Sequence, residues 1–343
     1  MKALVLTQYN QFEYQELPRP EPAYGEVLVR VQAVGICGSD VHGMDGSSGR
    51  RIPPIVMGHE ASGIIAEAGE GVKHWQIGDR VTFDSTVYAF DDWYSRRGMY
   101  NLSDGREVLG VSTPDFRRQG AFAEFVRVPQ HILYAIPDNV TFTQAALVEP
   151  VAVALHALSL TPLQVGDSAV VVGAGMIGLF VVQALKLAGA DRIIAVDLED
   201  NRLDLARMLG ATHTLNARRD DVTAVVRQLT RGRGADVAFE VVGAGPTVRT
   251  AIDAVRRGAT VTLVGNLAPS VEIPLQTVVT GQLRLQGSCA INGEYEAALE
   301  LISAGKINVD AILSAEVPLE EGADWFRRLY DKEPGMLKVV LKP

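Results

Sequence analysis

The sequence contains little cysteine, no long apolar run and no excess of positive charge. Only two of its 343 residues are cysteine, Cys37 and Cys289, which excludes a disulfide framework and is typical of a reducing compartment. No apolar stretch reaches the roughly 18 residues of a membrane-spanning helix, and the first residues become polar too early for a secretory signal. With 32 basic against 41 acidic residues, the charge of −9 argues against binding to nucleic acid or an anionic membrane. We therefore expect a cytoplasmic protein.

The length and the ordinary composition, 47% hydrophobic and 21% charged, favour two domains. Residues 1–150 alternate short strands with glycine and proline turns, which predicts a β-barrel. In residues 151–287, helices alternate with about six strands, which predicts an α/β fold with a doubly wound parallel sheet. Residues 288–343 hold two helices and a closing strand, and we expect this segment to return to the first domain.

One strand–turn–helix unit stands out in the second domain. The apolar run Ala169–Val172 is followed by three glycines in the spacing G-x-G-x-x-G, which lets a helix N-terminus approach a pyrophosphate. A lone triplet of this kind occurs in many turns, but here a strand precedes it and a helix follows it. The unit therefore predicts a dinucleotide site. Its residues are Gly173, Gly175, Met176, Ile177 and Gly178.

The next apolar strand ends in an acid at the distance expected for a contact with ribose. Asp197 closes the run Ile193–Asp197, where a carboxylate accepts hydrogen bonds from the 2′-hydroxyl of NAD and repels the 2′-phosphate of NADP. We therefore predict NAD, although the nearby Arg202 leaves use of both cofactors open. Ligands of such sheets also bind at the C-terminal ends of later strands. The residues at those ends are Val242, Gly243, Val264, Gly265, Ser288 and Cys289.

The barrel segment contains a dense set of polar residues. Taken singly, each has a common structural explanation: Cys37 as a small buried hydrophobe, His59 as a packed side chain, Glu149 as a helix N-terminal acid. Together with Glu60, however, they offer a thiolate, an imidazole and carboxylates. That is a zinc ligand set, and catalytic zinc has three protein ligands and an open fourth position.

Several segments resemble, in order and spacing, the zinc-dependent medium-chain alcohol dehydrogenases. They are Gly35–His42, Gly58–Glu60, Gly78–Val81, Glu149–Pro150 and the glycine unit. The resemblance covers essentially the whole chain and is strongest to the sorbitol, butanediol and threonine dehydrogenase branch. It implies a GroES-like catalytic barrel, a Rossmann cofactor domain, and NAD-linked oxidation of a polyol, sugar alcohol or diol to a ketone.

The resemblance also implies roles for the polar residues. Cys37 and His59 correspond to fixed zinc ligands, and Asp40 to the residue that orients the imidazole of His59. Glu60 and Glu149 correspond to two carboxylates that share the metal sphere, and which of them binds directly stays open. Glu60 is therefore counted with both the metal ligands and the catalytic residues.

Two further positions match the proton path of this family. Ser39 corresponds to the acceptor of the substrate hydroxyl proton, and His42 to the residue that passes it to solvent by way of the nicotinamide ribose. A serine hydroxyl cannot keep a proton at neutral pH, so a relay that ends on a histidine is chemically reasonable.

The sequence departs from the family at the loop that carries a second, structural zinc in many relatives. The positions that match its four cysteines are Ala89, Asp92, Ser95 and Ser103. None offers a thiolate, and a structural zinc site needs four good ligands. We predict one catalytic zinc per chain, no structural zinc, and a loop held by aromatic packing around Tyr88.

The substrate region and the assembly are less well defined. Sorbitol-type enzymes carry an Arg–Tyr pair where this chain has Ala290 and Ile291, which weakens the assignment to sorbitol itself. The family resemblance implies a homodimer or homotetramer, and Val278–Leu285 is the expected edge strand for pairing between copies.

Two alternatives remain. A metal-free, NADPH-linked enone or quinone reductase of the same superfamily would leave Cys37, His59, Glu60 and Glu149 without a shared purpose, and Asp197 would not suit its cofactor. A non-enzymatic protein that only senses the cofactor is the other.

Overall fold

A computed structural model describes residues 1–113 and 117–343 and divides the chain into two compact units. The first comprises residues 1–149, 291–305 and 312–343, and the second residues 150–290 and 306–311. Residues 288–290 and the short segment 306–311 lie in the second unit and so depart from the expectation that all of 288–343 joins the first domain. In the second unit the side-chain amide of Gln183 donates to the carbonyl of Asn308 at 3.3 Å and accepts from its N–H at 2.7 Å.

The first unit is mainly β-structure. In chain order its first part contains β1 (Lys2–Gln8), β2 (Gln11–Glu16), β3 (Glu26–Gly35), α1 (Gly38–Gly43), β4 (Ile55–Val56), β5 (Glu60–Ala68), β6 (Arg80–Phe83), β7 (Thr86–Val87), β8 (Glu107–Leu109), β9 (Arg117–Arg118), β10 (Phe125–Pro129), β11 (Leu133–Ala135) and α2 (Phe142–Ala146). The helix α3 (Val148–Ser159) crosses the boundary between the units.

The second unit alternates strands and helices, as the sequence predicts. Its elements are β12 (Ser168–Val172), α4 (Met176–Leu187), β13 (Arg192–Asp197), α5 (Asp200–Leu209), β14 (His213–Asn216), α6 (Val222–Leu229), β15 (Ala235–Glu240), α7 (Gly245–Ala254), β16 (Val255–Leu263), α8 (Leu275–Gly281) and β17 (Arg284–Gly287). The returning tail of the first unit contains α9 (Tyr295–Ser303), β18 (Leu313–Pro318), α10 (Gly322–Tyr330) and β19 (Lys338–Lys342).

Strand β3 is the centre of the first unit. It pairs with β5, β10 and β19 in a sheet of order β11-β6-β5-β3-β19-β18, with β10 attached to β3. Smaller sheets of order β2-β1-β4 and β7-β8-β9 complete the unit. One face of β3 presents Val27, Val29 and Val31 to the main core of the unit, whereas the opposite face also carries the exposed Arg30.

The second unit contains the predicted six-stranded parallel sheet, in the order β14-β13-β12-β15-β16-β17. All five residues of β12 are buried, so this strand forms the middle of the sheet, and the chain leaves it in both directions. The turn after β12 therefore lies at the point where the strand order reverses, where ligands of such sheets bind. The fold class is confirmed.

The expected edge strand Val278–Leu285 is wrong in its first half. Residues 278–281 are the end of α8, and Gln282 adopts a left-handed conformation with φ of 51° before β17 begins at Arg284. Gly281 and the left-handed residue end the helix, because such a conformation cannot continue it. The edge of the sheet is therefore the shorter β17.

Among residues 1–113 and 117–343, none of the helices has both the length and the apolar character required to cross a membrane.

Candidate metal centre and cofactor site

Strand register brings the predicted metal ligands of the first unit together. Gly35 at the end of β3 lies opposite Glu60 at the start of β5, and Cys37 follows β3 at the N-cap of α1. The sulfur of Cys37, an imidazole nitrogen of His59 and a carboxylate oxygen of Glu60 all lie within 4.8 Å of one another. A side chain at position 35 would overlap the Glu60 carboxylate, so glycine leaves the space that this acid occupies.

The three donors fit a zinc ion. Both His59 and Glu60 are buried, and Oε1 of Glu60 has no hydrogen-bond partner within the described part of the chain. Nδ1 of His59 lies 3.5 Å from Oδ1 of Asp40, which leaves the other ring nitrogen for a metal. A buried, unpartnered carboxylate oxygen beside a thiol and an imidazole is the donor chemistry that zinc takes.

Glu149 stands somewhat apart from these three residues. It lies in the first turn of α3, and its carboxylate is not one of the donors within the 4.8 Å group. Burial raises its pKa to about 8, and the negative charge of Glu60 adds to the effect. The two carboxylates are thus close enough to repel each other, which a shared cation would relieve.

Two buried cations near the site are not predicted from the sequence. Lys338 of β19 is fully buried and donates from Nζ to Oε2 of Glu60 and to the carbonyl of Ile36, the latter at 3.0 Å. Burial, the largest single effect, acts to lower the pKa of Lys338, but the charge of Glu60, the nearby Cys37 and Glu149 and the hydrogen bond to Glu60 together raise it, so the amine stays charged. The signal in the sequence was Lys338 within the otherwise apolar run Met336–Leu341. A lysine buried in such a run requires an anion beside it.

Arg51 is the second such cation. Its Nε and Nη2 donate to Oδ1 of Asp40 at 3.1 and 2.9 Å, and Nη2 also lies 3.3 Å from Oγ of Ser39. Burial acts to raise the pKa of Asp40, but the charges of His59 and Arg51 outweigh it and lower that pKa to about 2. Asp40 is therefore an anion that faces the candidate ligand His59 on one side and Arg51 on the other.

The predicted proton path lies on α1. Ser39 and His42 are exposed and three residues apart, which places them on neighbouring positions of one helix face. The hydroxyl of Ser39 lies 3.3 Å from the sulfur of Cys37. The serine thus lies next to the candidate ligand Cys37, and the histidine is in contact with solvent.

In the second unit, the glycine turn has the form that its sequence predicts. Gly173 has φ of 105°, a conformation that side chains disfavour, and a Cβ there would lie 2.6 Å from Cγ2 of Val242. A Cβ at Gly178 would overlap the carbonyl oxygen of Gly173, whereas Gly175, the N-cap of α4, has open space where its Cβ would lie. The first and third glycines are thus required by close packing, and the second leaves room for a ligand.

Asp197 ends β13 beside that turn. Its Oδ2 accepts from the N–H of Ala174 at 2.7 Å, and its Oδ1 accepts from the N–H groups of Leu198 and Glu199 at 2.7 and 3.0 Å. Nη1 of Arg202 lies 3.9 Å from Oδ2. The carboxylate is fixed at the strand end, and one cation lies beside it.

The predicted residues after β15 and β16 mainly hold two loops together. Gly243 and Gly265 touch backbone to backbone, so a side chain at either position would overlap the other loop. The buried carboxylate of Glu240, which the sequence reasoning missed, accepts from the N–H groups of Val242 and Gly243 at 2.9 to 3.0 Å. These contacts hold the loops close together. Ser288 has a buried hydroxyl without a partner in the described structure, and Cys289 is exposed.

Comparison with known families supports this geometry. The profile described as "Alcohol dehydrogenase GroES-like domain" matches residues 23–138, and "Zinc-binding dehydrogenase" matches residues 177–304. The chain belongs to the zinc-type alcohol dehydrogenase family.

Its relatives in the family match over nearly their full length. The chain is 34% identical to sorbitol dehydrogenase of Bacillus subtilis, with 100% of this chain and 97% of that protein covered. It is also 34% identical to (R,R)-butanediol dehydrogenase of the same organism, with 97% and 96% covered. A structure from Sinorhizobium meliloti 1021, assigned as a zinc-binding dehydrogenase and bound to NADP, has a TM-score of 0.90 at 30% identity and covers 100% of this chain and 99% of that one.

The loop that carries a structural zinc in many members of the family contains a hydrogen-bond network here. Oδ2 of Asp92 accepts from the hydroxyls of Ser103 and Ser95, the latter at 3.2 Å. Its Oδ1 accepts from the N–H groups of Tyr94 and Ser95 at 2.6 and 3.0 Å. These hydrogen bonds, led by the one from Ser103, lower the pKa of Asp92. Three of the four positions that would hold the metal are thus linked directly to one another.

Aromatic packing surrounds this network. Tyr88 stacks on Tyr100 with ring centroids 4.7 Å apart and meets Phe90 edge-on at 5.4 Å. The guanidinium of Arg97 lies 3.9 Å from the ring centroid of Trp93. The loop is therefore held both by rings, as expected, and by the Asp92 carboxylate, which the sequence reasoning considered only as a poor zinc ligand.

Replacing Asp92 by alanine is expected to loosen this loop without removing the catalytic metal. The change takes away an acceptor of four hydrogen bonds, so we expect a lower free energy of unfolding and faster cleavage of the loop than in the control. Chemical unfolding and limited proteolysis of residues 88–106 measure the effect, with exposed Asp91→Ala as the matched control. A zinc content of two ions per chain in the wild-type protein contradicts the prediction.

Proposed function

We propose that this chain is a zinc-dependent dehydrogenase that transfers hydride from a secondary hydroxyl of a polyol, sugar alcohol or diol to NAD and leaves a ketone. The observation that carries the proposal is the cluster of the half-buried Cys37 with the buried His59 and Glu60, whose unpartnered carboxylate oxygen suits a metal. The relatives named sorbitol and butanediol dehydrogenase support the substrate class.

In this proposal Cys37, His59 and one of the two carboxylates hold the ion. Zinc supplies Lewis acidity, which lowers the pKa of an alcohol hydroxyl by several units. Asp40 keeps the imidazole of His59 in one orientation and tautomer, and Arg51 holds Asp40 in place. We propose one such ion per chain and none in the Asp92 loop.

The proton of the substrate hydroxyl leaves through α1. Ser39 accepts it, and His42, which is exposed three residues later, delivers it to solvent. The guanidinium of Arg51 donates to Oγ of Ser39 at 3.3 Å and holds that oxygen in place, while its second lone pair can accept from the substrate hydroxyl. In this proposal the residues of the chain bind the substrate, orient its hydroxyl and accept its proton, and the cofactor would supply the hydride acceptor.

The cofactor is proposed to be NAD, bound at the glycine turn after β12. Asp197 places a fixed carboxylate where the 2′-phosphate of NADP would have to lie. The negative charges of the carboxylate and the phosphate would repel each other there. A relative of the same fold is bound to NADP, so the fold alone does not decide the cofactor, and the proposed preference for NAD rests on Asp197. We propose that Met176, Ile177 and the strand-end residues Val242, Val264, Ser288 and Cys289 line the same site.

The metal-free reductase alternative is not favoured. It gives no role to a buried thiol–imidazole–carboxylate cluster with an unpaired oxygen, and such groups are costly to bury. The zinc-binding family match agrees with the metal-dependent alternative.

The deciding experiment measures NADH formation with sugar alcohols, short diols and cyclic polyols, each repeated after treatment with a chelator. We expect turnover with one subset, loss of that turnover on chelation, and recovery with added zinc. Turnover that survives complete metal removal contradicts the proposal. Turnover only with simple monohydric alcohols leaves the zinc mechanism but contradicts the polyol class.

Replacing Asp197 by asparagine is expected to reduce the preference for NAD. The wild-type ratio of kcat/KM for NAD over NADP should be about 100 or more, because the repulsion between carboxylate and phosphate opposes NADP. The asparagine keeps an acceptor for the Ala174 N–H but removes the charge, so the ratio should fall by about tenfold or more. Exposed Asp204→Asn on α5 serves as the control and should leave the ratio unchanged.

We also propose that the protein is cytoplasmic and forms a homodimer or homotetramer. The edge strand β17 is unpaired on one side within the described residues, and Leu275 and Val279 of α8 are 65% and 68% exposed. An open strand edge beside exposed apolar side chains is a surface that a second copy commonly covers.

A further inference from the structure

A groove rich in arginine lies in the second unit, formed by α6, the loop after it, the first residues of β16 and α8. Its volume is about 570 Å³. The charged side chains that line it are Arg227, Arg233, Arg256, Arg257 and Asp253. We call this feature the arginine groove. A local excess of positive charge is notable in a chain whose net charge is −9.

The acids nearby do not neutralise the groove. Asp253, the one acid among the described residues that line the groove, already accepts from Nε of Arg249 at 2.6 Å. Arg256 is held by Oδ1 of Asp236 at 2.7 Å and by the carbonyl of Arg257 at 3.0 Å. One of the four lining arginines therefore has a carboxylate partner.

The other three arginines have none. Across residues 1–113 and 117–343, no side-chain hydrogen bond or ion pair is made by the guanidinium groups of Arg227, Arg233 and Arg257. Arg227 lies in the last turn of α6, where the helix dipole alone stabilises a cation. That explanation does not cover Arg233 and Arg257, which lie outside helices.

The groove also offers neutral donors. Thr223 of α6 and Thr277 of α8 line it, and each carries a hydroxyl that can donate to an anion. Guanidinium groups present paired N–H donors in a planar fork that matches the oxygens of phosphate. The volume falls within the range of about 300–1,000 Å³ found for small-molecule sites.

From these observations we infer that the arginine groove binds a small anion that carries phosphate groups and at least two negative charges. Arg233 and Arg257 are its main contacts, Arg227 and the threonine hydroxyls add to them, and Arg256 is kept in place by Asp236. The site is separate from the glycine turn of the cofactor and does not depend on the proposed dehydrogenase activity.

Calorimetric titration with pyrophosphate tests this inference on the full-length, zinc-containing protein. Each titration is run at physiological salt with one equivalent of NADH already bound, so that the glycine turn is filled. We expect one saturable site per chain. The double variant Arg233→Gln, Arg257→Gln should raise the dissociation constant by about tenfold or more, because two charge-assisted contacts are lost.

The matched control is Arg207→Gln, an exposed arginine of the same unit that is paired with Asp204 at 3.0 Å. It should bind pyrophosphate like the wild type. Thermal unfolding midpoints of all variants and their NADH-forming activity show whether fold and dehydrogenase function are intact. The inference is overturned if the wild type gives no heat beyond that of dilution, or if the wild type and the double variant bind pyrophosphate equally. Either result holds whether or not the protein forms NADH.

Further titrations identify the source of the phosphate groups. Inorganic phosphate, a nucleoside triphosphate and a sugar bisphosphate are compared under the same conditions. The inference expects the multiply charged compounds to bind more tightly than inorganic phosphate, and the tightest of them names the class of ligand. Equal affinity for all anions, chloride included, indicates unspecific screening and also overturns it.

Discussion

His59→Asn is expected to remove zinc from the protein and to lower kcat/KM by about three orders of magnitude or more. The imidazole is one of three donors within 4.8 Å of one another, and the amide of asparagine is a poor replacement for a nitrogen ligand. Without Lewis acid assistance, an alcohol hydroxyl keeps its proton at neutral pH, so the step before hydride transfer stops. Zinc content by mass spectrometry and NADH formation measure the two effects separately.

The control for this variant is His74→Asn. His74 is exposed in a turn with φ of 68°, a conformation that asparagine tolerates well, so the substitution changes a histidine without strain. It should retain the zinc and the activity of the wild type. If His59→Asn kept a full equivalent of zinc and wild-type turnover, the metal site would have to be placed elsewhere. Cys37→Ser should reproduce the loss, since it removes the thiolate from the same cluster.

The parts of the site that were predictable from the sequence depend on short-range patterns. The glycine turn, Asp197 and the strand before each of them follow from spacing alone, because the backbone there leaves few alternatives. Cys37 and His59 were identifiable because thiol and imidazole are rare in this chain and the resemblance places them. The β3–β5 register then brings them together.

The parts that were missed depend on contacts between residues far apart in the sequence. Lys338 meets Glu60 across 278 positions, and no local pattern shows which strand will lie beside β3. In the segment Val278–Leu285 the local pattern was present but misleading, since its β-branched residues favour a strand. Packing and the left-handed Gln282 instead end a helix there. Propensity was overridden by the tertiary context.

Lys338→Met is expected to reduce the free energy of unfolding of the metal-free protein by about 3–5 kcal/mol. Both members of this ion pair are fully buried, and Glu60 already has one oxygen without a partner. Removing the ammonium group leaves a buried carboxylate without its hydrogen-bonded cation, whereas methionine fills a similar volume. Chemical unfolding in the presence of a chelator measures the loss.

The companion variants separate the cost of an unpaired charge from the loss of packing. Lys338→Met combined with Glu60→Gln should recover most of the lost stability, because an amide is far cheaper to bury than an isolated carboxylate. Lys2→Met, which breaks an exposed pair with Glu16 at 3.8 Å, should cost less than about 1 kcal/mol. If Lys338→Met were as mild as Lys2→Met, the Glu60 carboxylate would have to be solvated. If Lys338 does compensate Glu60, the same lysine also fixes Oε2 by its hydrogen bond and leaves Oε1 without a partner.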